Sequence, residues 1–148
     1  MKNKKILIVT ECFYPEEFKI NDVALSWKDK GYDVGVLTLV PTYPLGKVYQ
    51  GFRNSFFRKE EYQGINIFRV HAVTGYRDSV VKKIFKYMNF LVFGSIAAIF
   101  IGRKYDYVFG FNYGYGCGYG FTYGYGYGYG YGYGYGYGYG YGSGYGYG

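Results

Sequence analysis

Lys4–Val40, KKILIVTECFYPEEFKINDVALSWKDKGYDVGVLTLV, decides the fold. Lys4–Thr10 is a continuous aliphatic and β-branched run, the pattern of a parallel strand buried on both faces. After a loop from Glu11 to Lys19, a helix is predicted to begin with Asn21 as N-cap, with Ile20 and Leu25 placed to form a hydrophobic staple. Val23, Ala24 and Trp27 supply its inward face. Lys28 and Lys30 complement the helix dipole at the last turn, and Gly31 is free to take the left-handed conformation that ends the helix. Asp33–Val40 then reads as a second buried strand. The whole is a βαβ unit with an expected right-handed crossover, the start of a doubly wound sheet.

Outward from that unit, Pro41 and Pro44 bracket an irregular loop, PTYPLGKVYQGFR, because each proline removes a donor and restrains its predecessor. Arg58–Tyr62 and Ile65–Val70, separated by Gln63-Gly64, form either a hairpin or one strand with an extended lead-in. Asp78 or Ser79 caps a long helix in which Val81, Ile84, Phe85, Met88, Leu91, Val92 and Ile99 follow helical spacing. Lys82, Lys83 and Lys86 occupy the other face. The fully apolar run Phe90–Ile101 is shorter than the roughly 17–25 residues a spanning helix needs, so a core helix covering the sheet is expected and a transmembrane segment is not. A sharper reading places Lys82, Lys83 and Lys86 on a basic edge against an anionic membrane surface. Tyr107–Phe111 is the next predicted parallel strand.

All 17 Lys/Arg and 10 Asp/Glu residues, and with them the net charge of +7, lie before Tyr107. From Tyr123 to Gly142 Tyr and Gly alternate strictly. The division is therefore residues 1–111 as an incomplete α/β domain and 112–148 as a low-complexity Gly/Tyr tail. As a strand the tail would put every Tyr on one face, a cross-β pattern, while glycine's backbone entropy favours disorder. Self-association through it is the alternative function. Cys12 and Cys117 fall one in each part, which supports neither a disulfide framework nor a zinc site and points to a reducing compartment. The apolar run near the N-terminus is too short for a signal peptide, so the expected location is cytoplasmic. No glycine lies between Thr10 and Gly31, which removes the G-x-G-x-x-G loop of a dinucleotide-binding enzyme. Lone His71 reads as a strand histidine, not a base. Nucleic-acid binding is not expected, because the tail has no Arg and the basic residues are spread over the α/β part.

FYPEEFKIND (Phe13–Asp22) after the first strand and PTYPLGKVYQGFR (Pro41–Arg53) after the second resemble the N-terminal domain of glycosyltransferase family 4, specifically the bacterial transferases that build colanic acid, O-antigen and capsule sugars. GYDVGVLT at Gly31–Thr38 is similar too, with Tyr32 and Asp33 where the family usually has His and Glu. The helix RDSVVKKIFKYMNFLVFGS also looks like the family's. The resemblance implies an incomplete Rossmann-like parallel sheet, the N-terminal half of a GT-B enzyme. In a whole enzyme the N-terminal domain binds the acceptor, often polyprenyl-pyrophosphate-linked at the inner membrane, and the C-terminal domain binds the nucleotide-sugar. Transfer retains the anomeric configuration. The family's donor-binding carboxylates belong to the C-terminal domain, so no catalytic residue, metal or cofactor is assigned here, and no transferase activity is expected of this polypeptide alone.

Both loops leave the carboxyl ends of strands, where open α/β sheets bind ligands. Tyr14, Tyr43 and Tyr49 offer flat faces for sugar rings, while Glu16, Asn21, Lys47 and Arg53 offer hydrogen bonds or a countercharge for phosphate. These seven are the candidate acceptor-binding residues.

Overall fold

The computed structural model describes residues 3–111; the Gly/Tyr tail and Cys117 lie outside the described residues. The elements are β1 (Lys5–Thr10), α1 (Lys19–Asp29), β2 (Asp33–Leu39), β3 (Phe57–Tyr62), β4 (Ile65–Val70), α2 (Val80–Asn89), a π-helical turn (Phe90–Gly94), α3 (Ser95–Gly102) and β5 (Tyr107–Phe111). They build one five-stranded sheet in the order β3-β4-β2-β1-β5. β4, β2, β1 and β5 run parallel, whereas β3 pairs antiparallel with β4. The expected parallel sheet is thus mixed and mostly parallel, compatible with a partial Rossmann-like fold, and of the two readings of residues 58–70 the hairpin is the one formed. The antiparallel edge comes from the Gln63-Gly64 turn: both residues have positive φ, 47° and 76°. That is the backbone of a two-residue hairpin whose twist matches its strands.

Alternation along β1 sorts the core into two layers. Ile8 faces α1 with Val34, Val36, Ile65 and Ile67, against Ile20 and Ala24 of the helix. Leu7 faces the other way with Leu37, Leu39 and Val70, against Phe90, Ala97, Ala98 and Ile101. β2 is buried from Val34 to Leu39, as a central strand covered on both faces must be. Within it Gly35 leaves room for Tyr105: a Cβ there would overlap the Tyr105 ring and hydroxyl. Gly35→Ala is therefore expected to destabilise the domain by about 1–3 kcal/mol, the usual penalty for overpacking, with much of the loss recovered in Gly35→Ala/Tyr105→Leu; urea denaturation of the two variants measures it.

α1 ends as its sequence predicts. Gly31 has φ +89°, its N–H donates to Lys28 O at 2.8 Å, and the Tyr32 N–H donates to Trp27 O at 3.2 Å, which together make a Schellman motif. Its start differs: the helix begins at Lys19 with Phe18 as N-cap, so Asn21 sits inside the first turn. Instead of capping, Asn21 Nδ2 donates back to Glu16 O at 2.8 Å.

The long helix also differs. Ser79 is its N-cap, accepting from the Lys82 N–H at 3.3 Å. With the π-helical turn and α3 it is continuous over Val80–Gly102, 23 residues, long and apolar enough to cross a membrane by length and composition. Counting only Phe90–Ile101 understated that length. The expected core face points outward: Val81, Ile84, Phe85, Met88, Leu91, Val92 and Ile99 are all exposed. The packed stripe is Lys86, Phe90, Gly94, Ala97, Ala98 and Ile101. The small residues on it let the helix approach the sheet, and Gly94 leaves room for the Phe90 ring of the preceding turn, which a Cβ there would meet at 3.2 Å.

Candidate functional site

β1 lies between β2 and β5, so the chain changes sides of the sheet at β1. In open α/β sheets ligands bind at such a switch point, outside the carboxyl ends of the strands. The loop after β1 (residues 11–18) and the loop after β2 (residues 40–56) meet there.

Glu16 joins them. It is 4% exposed, and its Oε1 accepts from the N–H of Thr42 at 2.9 Å and of Tyr43 at 2.7 Å. Burial pushes its carboxyl above the usual range, and the Tyr43 and Thr42 N–H groups only partly offset that. Oε2 is buried with no hydrogen bond. Beside it, burial and the Glu16 charge push the thiol of the half-buried Cys12 up, which disfavours its thiolate.

The other candidates divide. Tyr43 is exposed, leans on Phe18 with ring centroids 5.3 Å apart, and its carbonyl accepts from the Tyr49 hydroxyl at 2.6 Å. Tyr49 also anchors the second loop by donating its N–H to Pro41 O at 3.1 Å. Tyr14 stacks on Tyr62 of β3 at 3.7 Å between centroids, which turns its inner ring face away from a ligand. Asn21 is committed to Glu16 O through Nδ2, while its Oδ1 is buried without a hydrogen bond. Lys47 and Arg53 are exposed on the second loop, as a countercharge for phosphate requires. Glu16, Asn21, Tyr43 and Tyr49 therefore form one connected group, and Lys47 and Arg53 are exposed on the loop that carries Tyr43 and Tyr49.

Two charged residues of this region escape the sequence reading. Arg69, the last residue but one of β4, is 1% exposed. Its Nε donates to Glu60 Oε2 at 2.8 Å, Nη1 to Leu39 O at 3.1 Å and Nη2 to Tyr14 O, and its guanidinium lies 5.1 Å from the Phe52 ring centre. One side chain thus ties β3, the end of β2 and both loops. Its signal was a charge inside the apolar strand INIFRV at a position whose alternation points into the core. Lys86, expected on an exposed basic edge with Lys82 and Lys83, is buried; those two are exposed. Its Nζ lies 3.8 Å from Glu11 Oε2 and 4.7 Å from the Tyr76 ring centre. Burial opposes its charge, but Glu11 and the neighbouring phenols outweigh burial and hold its pKa above the ordinary lysine value. Burial likewise raises Glu11, against the attraction of Lys86.

No protein family, curated protein or solved structure matches this chain. Its functional reading rests on the loops themselves.

His71 lies just past β4, with its ring stacked on Phe56 and Nε2 3.2 Å from Asn54 Nδ2. Asn54 also bonds the Ala72 main chain in both directions, so it orients the histidine as part of the loop's framework. Among the described residues no cluster of His, Cys, Asp or Glu is arranged to hold a metal ion. Chemically the site can position: it presents an exposed tyrosine ring and two cations on a loop whose backbone is held by the buried Glu16 carboxylate and whose Phe52 ring rests on the buried Arg69 guanidinium.

Proposed function

We propose that this chain is the acceptor-side part of a retaining, GT-B-type glycosyltransferase of cell-surface polysaccharide synthesis, working at the cytoplasmic side of the inner membrane on a lipid-linked sugar acceptor. The observation that carries the reading is the Glu16 carboxylate accepting the N–H groups of Thr42 and Tyr43, because it makes the two family-like loops one structure at the carboxyl edge of the sheet. Tyr43 supplies a ring face for a sugar, and Lys47 and Arg53 supply charge for a pyrophosphate. Glu16 and Asn21 act by holding the loops in place. In this reading donor binding and the chemical step belong to a second Rossmann-like domain, so the chain binds acceptor and transfers nothing by itself.

The test is calorimetric titration of the full chain with farnesyl-pyrophosphate-linked N-acetylglucosamine, a soluble acceptor analogue. Binding is expected, and Lys47→Glu/Arg53→Glu is expected to weaken it at least about tenfold, since a hydrogen bond to a charged group contributes roughly 1.5–3 kcal/mol. A folded chain that does not bind the analogue, or that binds it equally well after the double reversal, would sink the reading.

A further inference from the structure

The outer face of the helix Val80–Gly102 has no use in the site described above. Ile84, Phe85, Leu91, Val92, Ile99 and Phe100 stand on it at helical spacing, and Phe85 and Phe100 are 61% and 67% exposed. Phe56, 73% exposed on the second loop, continues the patch, with its ring 6.3 Å from that of Phe93. Soluble chains rarely leave so many large apolar side chains contiguous and uncovered.

We propose that this face is a seat for an anionic phospholipid bilayer, in which the helix lies along the interface with its outer side among the acyl chains. Charge argues for that occupant. No acidic residue occurs between Ser79 and Tyr105, while Lys82 and Lys83 are exposed in the first turns and Arg103 and Lys104 follow the last, so both ends of the apolar stripe carry cations. Such a pattern suits lipid headgroups on either side of a shallow insertion. The helix lies flat and does not span. Its inner stripe is packed on the sheet through Phe90, Ala97, Ala98 and Ile101, and Lys86 is held by Glu11, so crossing the membrane would strip one whole layer of the core. Because Phe56 belongs to the loop that carries Lys47 and Arg53, the seat also brings that loop toward the headgroups. The proposal stands on the helix face alone and survives or fails independently of the sugar reading.

The test uses the full chain and vesicles of phosphatidylcholine with or without phosphatidylglycerol. Trp27 of α1 packs on the opposite side of the sheet against Phe109, so it is a built-in control. The full chain is expected to float with phosphatidylglycerol vesicles and to be released by alkaline carbonate. In Trp27→Phe/Phe100→Trp the emission is expected to shift to the blue on binding and to be quenched by brominated lipid, whereas Trp27 in the unsubstituted chain is not quenched. Lys82→Ala/Lys83→Ala is expected to weaken binding on the order of tenfold or more. Phe85→Asn/Phe100→Asn is expected to abolish it with the circular dichroism unchanged.

The proposal is overturned if the folded chain ignores both vesicle types, or if it binds them equally. Resistance to carbonate would show a spanning helix. Emission from position 100 already blue and shielded from acrylamide without lipid would show that a second copy of the chain, or residues 112–148, covers the face.

Discussion

Arg69→Ala is expected to remove about 3–5 kcal/mol of stability, the range found when one member of a buried ion pair is deleted. Arg69 is 1% exposed and Glu60 is 19% exposed by side chain, so the loss should sit toward the lower end, because water can reach the abandoned carboxylate. The main-chain oxygens of Leu39 and Tyr14 fare worse, since each loses its guanidinium donor inside the protein. A domain of this size has about 5–15 kcal/mol in all, so the variant should be partly unfolded at ambient temperature. Arg69→Lys should fall nearly as far, because an ammonium lacks the planar fork that reaches three acceptors in three directions. Equilibrium urea denaturation of both variants is the measurement. A loss under about 1 kcal/mol for Arg69→Ala would mean that the guanidinium is solvated in solution and does not tie the loops.

The second large effect belongs to Glu16. Glu16→Ala deprives the Thr42 and Tyr43 N–H groups of their acceptor, and Thr42 is 2% exposed, so a loss of about 2–4 kcal/mol is expected from two unsatisfied donors. Glu16→Gln keeps an oxygen in place of Oε1 and should lose much less. The two also differ in their pH dependence. Burial raises the Glu16 pKa above its ordinary 4.5, so the folded chain holds this proton more tightly than the unfolded one. Its favourable contribution is fully present below 4.5 and is lost as pH rises through the raised folded-state value. Glu11 shifts in the same direction for the same first reason, burial. Stability measured across the acidic to neutral range should therefore fall with rising pH in the unsubstituted chain and fall less steeply in Glu16→Gln. Parallel profiles for the two would show that Glu16 is not buried as a carboxylate. Loss of the analogue binding described above in Glu16→Ala, with binding kept in Glu16→Gln, would separate loop positioning from charge.

These two residues illustrate how unevenly the site could be read. Glu16 stands in a loop whose position after a strand is legible, and the sequence offers it as a ligand contact; what the sequence does not name is the partner its Oε1 takes in the fold, the two main-chain N–H groups of the neighbouring loop. Arg69 was passed over as a strand residue. Lys86, four and three residues on from Lys82 and Lys83, reads as their neighbour on one helix face, yet one turn further along it meets Glu11 of the first loop and the Tyr76 ring and is buried.

The sequence by itself determined the strands β1, β2, β4 and β5 and the glycine stop of α1, and it narrowed the Gln63-Gly64 segment and the start of the long helix to two readings each, of which the structure took the hairpin and Ser79. Each of these depends on a local physical cause: aliphatic runs bury on both faces, glycine alone enters positive φ without strain, and a hydroxyl caps free N–H groups. The tertiary structure decided the rest. Val80–Gly102 is apolar on both sides for most of its length, so periodicity could not say which side packs; the choice went to the stripe that holds Gly94, Ala97 and Ala98 between Phe90 and Ile101, because the small residues let the helix approach the sheet while the two larger ones fill the space beside them, and Ile84, Phe85, Leu91, Val92 and Ile99 were left facing outward.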